Sequence, residues 1–156
     1  MNFLQKIYKK SKEQKGFTLV EMIVVLVIIA ILAAITIPAL LKYIDKARDK
    51  QIVIDARTAY LAAETAVSEA YASNAMPTKN PITFGSGASA ESDPKDKAFQ
   101  DNAHNLTGVT KTYKCKVTLN GNEISQIEFE EDSKVATMNV SAGGSWTVSK
   151  GAITNP

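Results

Sequence analysis

The feature that most constrains this sequence is an apolar run, residues 22–41, that contains no charged side chain. Only Thr36 and Pro38 interrupt its aliphatic residues. As a helix with a rise of about 1.5 Å per residue, the run would span the hydrocarbon core of a bilayer, which is about 30 Å thick. A chain of 156 residues could hardly enclose such a helix on every side, so the run predicts a transmembrane helix.

The segment before this run, residues 1–16, carries five lysines and one glutamate. Lysines at this place are expected to remain in the cytoplasm, which sends the C-terminal region outside. The rest of the chain holds the other 13 basic and 15 acidic residues, so it is slightly acidic. No direct nucleic-acid site is therefore predicted.

A cleaved secretory signal is the competing interpretation of the same region. Such a signal usually has an apolar core of about 7–15 residues, followed by a cleavage site flanked by small residues. Here the run is longer, no good site follows it, and helical character continues past Leu41. The ordinary signal peptide is the weaker interpretation.

The next segment, residues 42–76, is rich in alanine and has one apolar stripe. Spacings of three and four residues place the stripe on one side of a helix, with Pro77 as the stop signal. A single helix is expected from about Phe17 to about Asn74, apolar all round in its first half and amphipathic in its second. Tyr71 is expected to pack on a helix face. The stripe consists of Val53, Ala56, Tyr60, Ala63, Val67 and Ala70.

Residues 77–93 are predicted to form a loop, because proline, glycine and serine are frequent there. Asp93 followed by Pro94 is typical of a helix start and predicts a short helix over about 94–105. Phe99, Ala103 and Leu106 would share one face of it.

The last part of the chain, residues 113–156, alternates apolar and polar side chains as β-strands do. Asn120-Gly121 predicts a hairpin, and further strands are expected over 124–130, 134–141 and 146–149. The fold class is therefore α+β, a long N-terminal helix packed on an antiparallel meander of about four strands. The sheet residues expected to cover the helix stripe are Val117, Leu119, Phe129, Met138, Trp146 and Val148.

The junction before the apolar run reads KGFTLVEM at residues 15–22. This string closely resembles the prepilin signature of type IV pilins and pseudopilins. The close match covers about residues 15–42. The remainder matches only in architecture: a basic leader, a long helix, an αβ-loop and an antiparallel sheet, which together make a pilin fold.

The resemblance implies a processing site. A membrane-embedded prepilin peptidase would cut after Gly16 on the cytoplasmic side and N-methylate the new terminus, Phe17, with Lys15 as the flanking basic residue. Gly16 has no side chain and so allows the peptidase close approach. The other interpretation of Gly16 is a linker glycine before a helix.

Glu21 is the carboxylate next to the apolar run. From the residues alone, it is equally well a helix-N-terminal or headgroup-level glutamate that needs no partner. The resemblance implies instead that Glu21 meets the amino group of Phe17, usually in an adjacent subunit. Pro38 should kink the helix, since it removes a backbone hydrogen bond. In related pilins a proline there marks a segment that bends or unwinds on assembly.

Little else in the sequence indicates chemistry. His104 is the only histidine, and the single cysteine, Cys115, is expected in the core and excludes an intrachain disulfide. The acidic group at 128–132 is interpreted as a solvated strand edge and turn. No enzyme activity, cofactor or metal site is predicted.

The predicted organisation has five segments: a cleaved basic leader (1–16), a hydrophobic transmembrane and assembly helix (17–41), an amphipathic helix half (42–76), an αβ-loop with a short helix (77–112), and the sheet with its tail (113–156). The resemblance implies a type IV pilus subunit, which starts in the cytoplasmic membrane and polymerises into a cell-surface filament. Such filaments serve adhesion, aggregation, surface motility or DNA uptake. The implied partners are other copies of itself, the prepilin peptidase and the pilus assembly machinery. The alternatives are a minor pilin or pseudopilin, and an uncut, membrane-anchored extracellular domain.

Overall fold

A computed structural model describes residues 16–154. The chain divides into two compact units, one ending at Asp45 and one beginning at Lys46. The elements are α1 (Leu19–Ala72), β1 (Ile82–Phe84), α2 (Pro94–Thr107), β2 (Tyr113–Asn120), β3 (Glu123–Glu131), β4 (Lys134–Asn139), a 3₁₀ turn (Val140–Ala142) and β5 (Trp146–Lys150).

Helix α1 ends two residues earlier than predicted because its C-terminus closes in a Schellman motif. Asn74 adopts a left-handed conformation with φ of 53°. Its amide donates to the Tyr71 carbonyl (3.1 Å), and the Ala75 amide donates to the Ala70 carbonyl (2.8 Å). These bonds satisfy carbonyls that would otherwise lack donors at the helix end.

The sheet has five antiparallel strands in the order β1-β2-β3-β4-β5, one more than expected. The additional strand is β1, which lies inside the segment predicted as a loop. It pairs Ile82 with Val117 and Phe84 with Cys115. Three residues are too few to display a period-two pattern, so only the pairing with β2 defines this strand.

The core of the second unit lies between the amphipathic half of α1 and the inner face of the sheet. The α1 stripe is confirmed, with Val53 and Tyr60 partly buried and its other members fully buried. Small side chains dominate the helix side, whereas the sheet supplies the larger ones. The largest fully buried apolar side chains are Tyr113, Phe84, Phe129, Ile82, Ile127 and Val117.

Helix α2 forms where predicted and extends to Thr107. The Asp93 side chain accepts from the Lys95 amide (2.8 Å) and Pro94 occupies the first turn, as expected for an N-cap. Gly108, with φ of 62°, ends the helix.

Two expectations about burial are wrong, for Glu131 and Tyr71, and Leu106 is more exposed than Phe99 and Ala103 on the same helix face. Glu131, taken as part of a solvated edge, is 1% exposed, because it shares the inward face of β3 with Phe129. Tyr71 is 62% exposed and Leu106 is 46% exposed. Both lie in the last turn of their helices, where Ala70 and Thr107 take the inward positions instead.

Candidate functional site

The candidate site is the N-terminal segment around Gly16 and Phe17, at the start of α1. Phe17 is 79% exposed. A side chain added at Gly16 would meet no atom within 4 Å. The described part of the chain therefore gives no packing reason for glycine at this position. Lys15, the predicted flanking residue, lies outside the described residues.

Thr18 and Glu21 form a capping box at the first turn of α1. The Glu21 Oε2 atom accepts from the Thr18 amide and from the Thr18 hydroxyl, both at 2.8 Å. In return the Glu21 amide donates to the Thr18 hydroxyl oxygen at 3.2 Å. This reciprocal pair satisfies amide groups that a helix start leaves without partners. Glu21 thus has a local partner within its own chain.

Thr18 was not predicted as the partner of Glu21. The signal was present, since Thr-x-x-Glu ahead of an apolar run is the sequence signature of a capping box. The structure brings these two side chains together. The predicted contact between Glu21 and a Phe17 amino group requires a cleaved chain, and it stays a prediction.

The apolar half of α1 presents its side chains outward all round. Large apolar residues from Phe17 to Ile44 are between 40% and 79% exposed. By length and composition this is a helix that could cross a membrane, and its most apolar part is not buried within the chain. A side-chain surface of this kind requires lipid or other protein around it.

Pro38 lies inside the continuous helix α1. Because proline has no amide hydrogen, the carbonyl of Ala34 loses its usual helical donor. Two residues before Pro38, the Thr36 hydroxyl donates to the Leu32 carbonyl at 2.6 Å. A bend at Pro38 stays a prediction.

Cys115 and His104, the two side chains of the second unit that were considered for chemical roles, are held in place by contacts within that unit. Cys115 is fully buried, as expected. The His104 ring nitrogen Nδ1 lies 2.8 Å from the Tyr113 hydroxyl, which also contacts the Thr107 hydroxyl at 2.8 Å. Among residues 16–154, no group of three or more His, Cys, Asp or Glu side chains is placed to hold a metal ion.

Comparison with known proteins gives a motif and several relatives. The family model described as the prokaryotic N-terminal methylation motif matches residues 11–37. A fimbrial protein of Pseudomonas aeruginosa is 29% identical over 142 residues, which cover 91% of this chain and 77% of the relative. Fimbrial protein Q of Moraxella bovis is 43% identical over 56 residues, or 36% of each chain.

A further relative is the type IV major pilin protein PilE1 of Neisseria gonorrhoeae, 36% identical over 77 residues, or 49% of this chain and 34% of the relative. No solved structure matches the chain significantly. The methylation motif overlaps the capped start of α1, the fimbrial similarity extends over most of the chain, and the fold is a long N-terminal helix with an antiparallel sheet. Together, the motif, the relatives and the fold support a type IV pilin.

Proposed function

We propose that this chain is a type IV pilin, the subunit of an extracellular filament in which copies associate through the N-terminal half of α1. The observation that supports this most is the apolar surface of that half, exposed on every side and free of charge over residues 22–41. In the membrane, lipid would cover this surface. In a filament, the same surface would be covered by other copies.

The proposal includes processing between Gly16 and Phe17 by a prepilin peptidase. Glycine is not required there by packing, since nothing lies within 4 Å of an added side chain. A protease that must approach the backbone closely would supply such a requirement. N-methylation of Phe17 after the cut is part of the same proposal, and it is supported by the match to the N-terminal methylation motif.

We further propose that cleavage prepares Glu21 for assembly. In the unassembled chain, the Thr18 amide and hydroxyl already donate hydrogen bonds to the Glu21 carboxylate. A new amino group at Phe17 of an adjacent copy would add a positive charge beside it. Because a carboxylate surrounded by apolar helices is costly without an opposite charge, assembly before cleavage would be disfavoured.

Before assembly, the precursor is proposed to lie in the cytoplasmic membrane with residues 1–16 inside, as their lysines indicate. The pilus assembly machinery would then extract it. The globular unit from Lys46 onward would lie outside the cell.

The test is intact-mass and N-terminal peptide mass spectrometry of protein sheared from cell surfaces. We expect a chain that begins at Phe17, carries one methyl group, and is found in high-molecular-weight material. A terminus at Met1 would favour the anchored extracellular domain, and cleavage after the apolar run would favour an ordinary secreted protein. Either of these results would overturn the proposed function.

A further inference from the structure

The side chain of Glu131, at the end of β3, is buried without enough donors for its two oxygens. The side chain is 0% exposed. Lys111 donates a hydrogen bond to Oε1, and Oε2 has no donor. A buried carboxylate oxygen without a donor loses its hydration and gains nothing in exchange. This arrangement requires an explanation that the filament function does not provide.

A second carboxyl group meets Glu131 from the opposite element. Asp55 on α1 interacts with the Glu131 carboxyl through its charge and a side-chain hydrogen bond, and both raise the pKa of Glu131. Two ionised carboxylates have no proton with which to form a hydrogen bond, and their negative charges repel each other. One bound proton changes this, because a protonated Glu131 can donate an O–H bond to Asp55 and Oε2 is then satisfied.

The charges in this cluster balance when one proton is present. With it, Asp55 and Glu131 together carry a single negative charge, which the Lys111 ammonium group matches. Without it, two negative charges face one positive charge. The Lys111 side chain is 52% exposed, so water reaches this partner and weakens its attraction for Glu131.

We propose that Glu131 and Asp55 share one proton, and that this proton-binding site strengthens the contact between β3 and α1 in mildly acidic surroundings. When the proton is lost at higher pH, the contact weakens. The inference concerns the globular unit alone and does not depend on polymerisation.

The charged neighbours are consistent with this assignment. Burial raises the pKa of Glu131; the bond and charge of Lys111 oppose that rise, and Asp55 adds to it, so the pKa stays above its usual value. Asp132, in the turn after β3, acts on Lys111. Lys134 on β4, which pairs with Glu131 in the sheet register, is engaged by Asp49 of α1 at 2.6 Å. Tyr113 pairs with Glu131 on the other side.

The sign of the pH dependence follows from the raised pKa. The folded chain holds the Glu131 proton at a pH at which the unfolded chain has released it. The stabilisation is therefore fully present below the unfolded pKa and is lost as the pH rises through the folded pKa. For this site alone, the equilibrium constant for unfolding should increase by up to about tenfold per pH unit within that window.

The experiment is equilibrium unfolding of the full chain in detergent micelles, followed by circular dichroism between about pH 5 and about pH 8. Glu131→Gln keeps the shape of the side chain and supplies an N–H group for Asp55. Its pH slope should fall by up to one proton relative to the parent chain. Asp55→Asn should reduce the slope in the same way. The matched control is Asp101→Asn, which alters an exposed carboxylate on α2 and should retain the parent slope.

A direct titration of the parent chain decides the matter even if a variant does not fold. Carbon-13 NMR of the Glu131 carboxyl should show a midpoint above the ordinary pKa value of 4.5. The inference is overturned if Glu131 titrates at or below that value. It is also overturned if folded Glu131→Gln and Asp55→Asn chains both keep the parent slope.

Discussion

Three carboxylates show how surroundings decide what the same chemical group does at the residue scale. Glu21 is exposed and caps its own helix through Thr18. Asp96 is 3% exposed, yet it accepts three hydrogen bonds from Thr78 and Lys79, at 2.6, 3.0 and 3.2 Å. It thereby fastens the loop after α1 to α2. Glu131 is as deeply buried but has only Lys111 as donor. Of these three carboxylates, it is the one that requires a bound proton.

Two substitutions at the start of α1 separate the local role of Glu21 from its proposed role in assembly. Glu21→Gln keeps an acceptor for the capping box but removes the charge. Thr18→Ala removes the capping hydroxyl, at a cost of about 0.5–2 kcal/mol in helix stability, but keeps the charge. If charge pairing with the Phe17 amino group drives assembly, Glu21→Gln should be processed and should yield little sheared filament. Thr18→Ala should still assemble.

The measurement is the ratio of filament to membrane-bound subunit in sheared fractions, by immunoblot. Glu123→Gln, at the exposed first residue of β3, is the control and should match the parent. Assembly of Glu21→Gln at the parent level would show that the charge has no part in polymerisation.

At the scale of elements, the two halves of α1 differ in side-chain size as well as polarity. The apolar half carries large aliphatic residues, whereas the half that packs against the sheet buries alanines. Ala56, Ala59 and Ala63 are each 0% exposed. Small side chains allow the helix axis to lie close to the sheet, where Phe84, Tyr113 and Phe129 fill the space.

This close packing predicts that Ala59→Leu is destabilising. Three added carbon atoms at a fully buried position force neighbouring side chains to move, which costs about 1–3 kcal/mol. The control Leu61→Ala, at a side chain that is 61% exposed, should change stability by less than about 0.5 kcal/mol. Urea unfolding of the full chain in detergent measures both. Parent-like stability of Ala59→Leu would mean that α1 can move away from the sheet without cost.

At the scale of the whole molecule, Cys115 reports whether the globular unit is closed. The thiol lies in the core, and burial raises its pKa well above the usual range. Thiolate is the reactive form. We therefore expect iodoacetamide to modify the native chain at least about a hundredfold more slowly than the denatured chain, because reaction requires opening of the sheet.

The reaction is followed by intact mass over time. A chain in which Asp101→Cys adds a thiol on the exposed side of α2 is the control and should gain one label rapidly. Rapid labelling of Cys115 in the parent would show that the core opens more easily than its packing implies.

The sequence alone determined four features: the long helix, its apolar half, its amphipathic stripe and the hairpin at Asn120-Gly121. Each depends on residues that lie within a few turns or positions of one another, so periodicity and turn residues are enough to identify it. The string KGFTLVEM at residues 15–22, which resembles a prepilin signature, is equally local. Processing after Gly16, the role of Lys15 and the kink at Pro38 stay predictions.

Only the tertiary structure decided which side chains lose contact with water. Strand β1 exists because β2 pairs with it. The buried Glu131 interacts with Asp55 and Lys111, and the three residues come from separate parts of the chain. No local pattern encodes such a meeting, because alternation places Glu131 on the inner face of β3 without stating what covers that face. The cost of burying its charge, and hence its proton, arises only when α1 and the sheet pack together.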